Sequence, residues 1–299
     1  MNTQNALMTV DKPDEDMQAI AAWLFGKSSH TQRGYSRIAH NLLSNAGKSL
    51  RAMTLYDLQA FIASLQGETS SIALATNAIK SLYSFTTELG YTPINIGKVL
   101  KSPKVRDELA QRILTEVEAI RMIDRTENKR DHAIIRLLYH AGLRVSEIVA
   151  LCWQGVRASE QGAVLDVWGK GEKQRYVMIS PTMYEELLSL DGRFLGQDRY
   201  VFQGRKSKGG TVALDTRQIE RLVEDAAIRA DVATYIDDKG RKRSHVSPHW
   251  LRHSNASHAL DNSAPVHVVK ESLGHSSLVT TTRYAHIKPG TGSSQYLKV

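Results

Sequence analysis

Ala141-Gly142-Leu143-Arg144-Val145-Ser146-Glu147 sets an arginine on a glycine-bearing turn between two apolar helical runs. Upstream, residues 131–141 place Ile134, Ile135, Leu137 and Leu138 at helical spacing, and Gly142 supplies the stop. Downstream, a second helix runs from Arg144 through Val149 and Leu151. The period then changes. Ala163 to Trp168 and Arg175 to Ile179 are rich in Val, Ile and aromatics, and Gly169-Lys170-Gly171-Glu172-Lys173-Gln174 separates them. That pattern predicts a β-hairpin with a polar tip. Helical spacing returns around 181–190, 215–230, 249–260, 265–273 and 277–284. Thr115 with Glu118 three residues on forms a capping box that opens the whole region. The expectation is a mostly helical domain with a small antiparallel β-sheet.

The first third reads as four helices. Residues 15–26 carry Met17, Ile20, Ala21, Trp23 and Leu24 at helical spacing. A second helix runs from about Thr31 to Ser44, with Tyr35, Ile38, Leu42 and Leu43 apolar, and Ala46-Gly47 ends it. Arg33, Arg37 and His40 recur at i, i+4 and i+7, so they share its other face. Thr54 and Asp57 make a capping box ahead of Leu58, Phe61, Ile62 and Leu65, and Ser70-Ser71 opens a fourth helix that Gly90 stops. Residues 91–112 hold Pro93, Gly97, Pro103 and several cations with little periodicity, so they read as a basic linker.

At 299 residues the chain is long enough for two domains of about 150 residues each. With 41% hydrophobic and 23% charged residues, 7 prolines and 20 glycines, disordered and collagen-like architectures are excluded. No apolar run approaches the ~18 residues a membrane-spanning helix needs. The polar, acidic start from Met1 to Asp16 does not resemble a secretory leader, and the single Cys152 has no intramolecular partner, so a cytoplasmic location is expected. The net charge is +8. Its distribution says more than its size. Between Lys27 and Arg106 stand ten basic residues against the three acids Asp57, Glu68 and Glu88, a local excess of seven that reads as a nucleic-acid footprint. Arg33, Arg37, His40, Lys80, Lys101 and Lys104 are the candidates for DNA contact.

Two further patterns in the second domain carry chemistry. In Ser247-Pro248-His249-Trp250-Leu251-Arg252-His253, Ser247 reads as an N-cap and Pro248 as the first helical residue. His249 and Arg252, at i and i+3, then share a face near the helix's positive end. In Leu273-Gly274-His275, Gly274 ends a helix and His275 occupies the turn, nine residues before Tyr284. His249 and His253 lie four apart with His245 and His258 nearby, a spacing that a zinc site could use. No Glu stands at the intervening positions and Arg252 would bring a cation beside the ion, so no metal and no other cofactor is expected.

Arg144 in A-G-L-R-x-S-E, Lys170 in a β-turn, His249-x-x-Arg252, Leu273-Gly274-His275 and the downstream Tyr284 together resemble the signature of the tyrosine site-specific recombinase, or phage-integrase, family. The resemblance is strongest from Leu114 to His286 and extends more weakly over the basic helical module. It implies a mainly α fold, with 15–106 as a core-binding DNA-binding domain plus linker and 107–299 as the catalytic domain. It also implies a catalytic set of Arg144, Lys170, His249, Arg252, His275 and Tyr284, with Tyr284 the nucleophile. The family's reaction cuts and rejoins duplex DNA through a 3′-phosphotyrosyl link, without ATP or metal, with four protomers on two DNA sites.

Elementary chemistry fits that set. Two guanidiniums suit the non-bridging oxygens of a phosphodiester, and His275 adds a donor. A tyrosine of pKa about 10 needs help to lose its proton, and His249 is placed to accept it. Lys170, with Lys173 as competitor, is placed to protonate the leaving 5′ oxygen. A DNA-relaxing or telomere-resolving relative, or a non-catalytic DNA-binding protein, stays open as an alternative. So does the need for a second recombinase or accessory protein. Only fifteen residues follow Tyr284, and they hold no clear amphipathic helix for docking on a neighbour. The stretch ahead of the helical module is expected to be too short for the extra arm-site DNA-binding domain of many phage integrases, which tilts the expectation towards a simple recombinase of the chromosome-resolution, plasmid or mobile-element kind.

Overall fold

Burial of four amphipathic helices organises the first of two compact units, Met1–Asp107; the second is Glu108–Val299. The structure, a computed structural model, describes residues 15–106, 109–169, 174–204, 212–274, 281–282 and 284. In the first unit the helices are α1 (Glu15–Leu24), α2 (Ser29–Ala46), α3 (Leu55–Ser64) and α4 (Thr69–Glu88). Ile20, Trp23, Leu42, Leu58, Phe61, Ile79, Leu82 and Tyr83 form the core. Trp23 stacks on Tyr35 and donates its indole N–H to Ser81 Oγ at 3.1 Å. The Thr54–Asp57 capping box forms, and Gly47 closes α2 in the left-handed conformation. The start of α4 differs from expectation: Glu68 takes the N-cap position without a side-chain bond, and the helix begins at Thr69, one residue before Ser70-Ser71.

Part of the stretch read as a linker is packed structure. Ile96–Val99 is a 3-10 turn, Gly97 is buried against Tyr83, and Leu100 joins the core. A Cβ on Gly97 would stand 2.9 Å from Tyr83 Cβ, so this glycine marks a close approach rather than flexibility. Low periodicity misled the sequence reading, because a single 3-10 turn is too short to show one.

The second unit contains α5 (Glu116–Asp124), α6 (Lys129–His140), α7 (Val145–Ala150), α8 (Pro181–Asp191), α9 (Thr216–Ala230), α10 (Pro248–Asp261) and α11 (Val266–Leu273). The hairpin is present as β2 (Gly162–Trp168) and β3 (Gln174–Ile179), but β1 (Val156–Ser159) adds a third antiparallel strand on the β2 side. A separate ribbon, β4 (Thr234–Ile236) with β5 (Lys242–Ser244), was not foreseen. Strands of three or four residues carry almost no alternation to read. The predicted helix at 277–284 lies mostly outside the described residues.

Ile134, Leu137, Leu138, Leu143, Ile148, Trp153, Leu165, Val177, Phe202, Val223 and Leu251 belong to one continuous core. Helix α10 packs on α5, α6, α9 and α11, which makes it the platform for the chemistry-bearing face. The Thr115–Glu118 capping box forms as expected. Ser247 holds the N-cap position of α10, with Pro248 first in the helix, but its side chain makes no capping hydrogen bond. Among the described residues, no helix is long and apolar enough to cross a membrane.

Candidate active site

The turn Gly142-Leu143-Arg144 exists because Gly142 takes φ +58°, a conformation that carries a steric penalty for any other residue type. Space reinforces the choice. A Cβ there would stand 2.5 Å from Leu273 Cδ2 and 2.7 Å from Asn255 Oδ1. The chain leaves this turn with Arg144 at the N-cap position of α7. The Arg144 backbone N–H donates to Glu147 Oε2 at 2.7 Å, and its guanidinium donates to Glu147 Oε1 at 2.8 Å and to the Gly274 carbonyl at 3.1 Å.

Arg252 reaches the same region from α10. It is 5% exposed and donates to the carbonyls of Gly142 and Leu273. The two guanidiniums are therefore anchored on successive carbonyls, Leu273 and Gly274, at the C-terminal end of α11. Burial, then the nearby Arg144 charge, lowers the Arg252 pKa to about 9. Arg252 stays cationic at neutral pH, so two like charges share this region.

Glu147 offsets part of that charge. Its side chain is fully buried and accepts from Arg144 and from both terminal nitrogens of Arg175, at 2.6 and 2.8 Å. Burial alone would raise its pKa. The Arg175 hydrogen bonds, followed by those from Arg144, outweigh burial and hold the carboxyl below its usual range. Arg175 also donates from Nε to the Ser272 carbonyl at 2.8 Å, tying β3 to the end of α11. Neither residue was given a role from sequence. A signal existed: Arg175 alternates with Val177 and Ile179, both inward-facing, and an inward arginine requires a carboxylate partner.

On α10, His249, Arg252 and His253 share a face, as positions i, i+3 and i+4 must. His249 keeps an exposed edge. Partial burial, then the Arg252 and Arg144 charges, lowers its pKa and favours the neutral ring. Its ring stacks on that of His253, with centroids 6.1 Å apart. Tyr284 is 5% exposed and packs with Ala256, Val269 and Leu273. Its hydroxyl lies 2.7 Å from His253 Nδ1. From the sequence, His253 stands out only as a metal-ligand candidate, and His249 is the expected acceptor of the tyrosine proton. Being at i+4 from His249, His253 falls on the same face, and that spacing could have found it.

The other two histidines near that pair, His258 and His245, are engaged elsewhere. His258 Nδ1 is 2.8 Å from the Tyr139 hydroxyl, and His245 stacks on Tyr235. Among the described residues, no three His, Cys, Asp or Glu side chains converge as a metal-ligand set. Lys170 and His275 lie outside the described residues, as does Lys173. The strands that bear the hairpin tip pair as far as Trp168 opposite Gln174. In the first unit, Arg33, Arg37 and His40 are exposed along α2, and Lys101 and Lys104 are exposed beyond Leu100. Lys80 is half-buried and donates to the Leu100 carbonyl at 2.9 Å, a structural bond that sequence did not foresee.

Comparison with known proteins bears on this arrangement. The model of the phage integrase family matches residues 106–290. The chain is 31% identical over 288 residues to the tyrosine recombinase XerC of Xylella fastidiosa, covering 91% of each protein. It is 32% identical over 285 residues to the tyrosine recombinase XerC of Corynebacterium efficiens, covering 91% of this chain and 86% of that one. Among solved structures, it aligns with the XerH site-specific recombinase bound to its difH substrate at a TM-score of 0.69 and 19% identity, over 93% of this chain and 82% of that one. A lambda integrase (residues 75–356) dimer bound to a COC′ core site aligns at 0.71 and 15% identity, over 93% and 96%. At those identities the two structures establish a shared fold.

Proposed function

This chain belongs to the phage integrase family and is a tyrosine-type site-specific DNA recombinase; on that premise we propose that Tyr284 is its nucleophile and that Arg144 and Arg252 hold the phosphate it attacks. The observation that carries the assignment is the anchoring of two guanidiniums on the successive carbonyls of Leu273 and Gly274. An attacked phosphodiester gains negative charge on its non-bridging oxygens. Preorganised donors aimed at that charge contribute on the order of 2.7–4 kcal/mol each in comparable oxyanion sites. The carbonyls and Glu147 fix the guanidiniums in advance, so little reorganisation is needed when the phosphate arrives.

Tyr284 Oη then bonds to phosphorus as the bond to the 5′ oxygen breaks, leaving a 3′-phosphotyrosyl link and a 5′ hydroxyl. The phosphoester is conserved in energy, so rejoining needs only a 5′ hydroxyl from a partner strand. Lys170 is assigned the proton for the departing oxygen and His275 a further donor to the phosphate, both by their motif positions. Exposed Arg33, Arg37, His40, Lys101 and Lys104 are assigned to the DNA backbone; Lys80, tied to Leu100, acts through the position of that segment. DNA is the substrate and the chain works as an oligomer on it, since related solved complexes include a dimer on a core site and a tetramer on a Holliday junction. We infer four protomers on two sites, acting in the cytoplasm.

A nicked suicide substrate tests the assignment. Tyr284→Phe removes only the phenolic oxygen, so the variant is expected to bind DNA with the parent affinity and to form no covalent adduct. Adduct formation by Tyr284→Phe would move the nucleophile elsewhere, with Tyr296 the next residue to test.

A further inference from the structure

The Tyr284 hydroxyl is 2.7 Å from His253 Nδ1, with ring centroids 5.6 Å apart and planes tilted by 32°. We propose that His253 is a further catalytic residue, the first acceptor of the Tyr284 proton during DNA cleavage. The proposal rests on the reading of Tyr284 as nucleophile and goes beyond it. A phenol of ordinary pKa about 10 is almost wholly protonated at neutral pH, so its attack on phosphorus requires a base within about 2.6–3.2 Å. His253 Nδ1 meets that distance. With the ring proton assigned to Nε2, Nδ1 accepts from the phenol, which is the tautomer a base requires.

The surroundings favour this route. Tyr284 is buried among Ala256, Val269 and Leu273, so bulk water is a poor competitor for its proton. The spacing of α10 puts the acceptor one residue beyond Arg252, which keeps proton acceptance and phosphate binding on one rigid helix. As Oη bonds to phosphorus and the phosphorus–5′ oxygen bond breaks, the phenolic proton passes to Nδ1 and leaves an imidazolium. That cation forms beside the charge-rich phosphorus centre. The departing 5′ oxygen takes a separate proton, from Lys170. On rejoining, the 5′ hydroxyl gives its proton to Lys170 and His253 returns its own to the leaving phenolate.

Asparagine separates proton transfer from positioning. In His253→Asn the amide oxygen takes roughly the place of Nδ1, so it can still accept a hydrogen bond from Tyr284 but cannot take the proton. Under single-turnover conditions with saturating suicide DNA, adduct formation by both His253→Asn and His253→Ala is expected to slow by about 10²–10⁴-fold. DNA affinity and the circular dichroism spectrum should match the parent. Added imidazole should restore part of the rate to His253→Ala, whose missing ring leaves room for it, and should leave the parent unchanged. A parent-like rate for His253→Asn would reduce His253 to a positioning residue and overturn the proposal, as would a parent-like rate for His253→Ala. Tyr284→Phe is run in the same assay. An adduct there overturns the nucleophile assignment itself, whereas its absence together with fast His253 variants overturns only the present inference.

Discussion

Glu147 is a carboxylate with a fully buried side chain, and that burial decides what its loss must do. Replacing one partner of a buried ion pair leaves the others uncompensated, at a cost of about 3–5 kcal/mol. Glu147→Gln should destabilise the fold by that order at neutral pH. The sign of the pH effect follows from the lowered pKa. Such a group contributes stability above the unfolded carboxyl pKa of about 4.3, and the contribution is lost as pH falls through the lower folded value. Chemical denaturation at a series of pH values should therefore show parent and variant converging in acid; a constant gap would contradict the pairing. The glycine turn that carries Arg144 and the Pro-started helix that carries Arg252 were legible from their motifs. Glu147 and Arg175 were not, because their roles depend on a strand and a helix meeting, a distance that sequence does not express.

Gly142 shows what an element can demand of one residue. Its φ of +58° and the 2.5 Å approach of Leu273 Cδ2 leave no room for a side chain. Gly142→Ala should lower stability by about 1–3 kcal/mol from backbone strain, a fall of roughly 2–4 °C in Tm per kcal/mol for a unit of this size. Because the Gly142 carbonyl anchors Arg252, single-turnover cleavage should fall further than DNA affinity does. Equal losses in both would show that the turn does not position the arginine. The helices and capping boxes were readable here because Thr54, Thr115 and the apolar spacing act locally. Strands β1, β4 and β5 were not, since their few residues take strand geometry only from their pairing partners.

The cations of the first unit make electrostatics a property of the molecule as a whole. Each phosphate neutralised steepens the fall of log affinity with log salt by about 0.9. Replacing exposed Arg33 and Arg37 by Gln should make that slope shallower by about one to two units. An unchanged slope would place both off the DNA. Cleavage should also persist in EDTA, because the guanidiniums and the lysine assigned to the phosphate would supply the positive charge that metal ions provide in many nucleases. Activity lost in EDTA and regained with magnesium would overturn that expectation. The charge excess behind these predictions is plain in the sequence, whereas the commitment of Lys80 to Leu100 appears only once the chain is folded.

The end of α11 holds Leu273 and Gly274 as neighbours, and each carbonyl carries one of the two guanidiniums. The pair thus shares a single fulcrum. A shift of that helix end displaces both arginines at once, so the proposed phosphate cradle would assemble or come apart as one event. Defects introduced at the fulcrum and at either arginine should consequently fail to add, because the first already spends the loss that the second would cause.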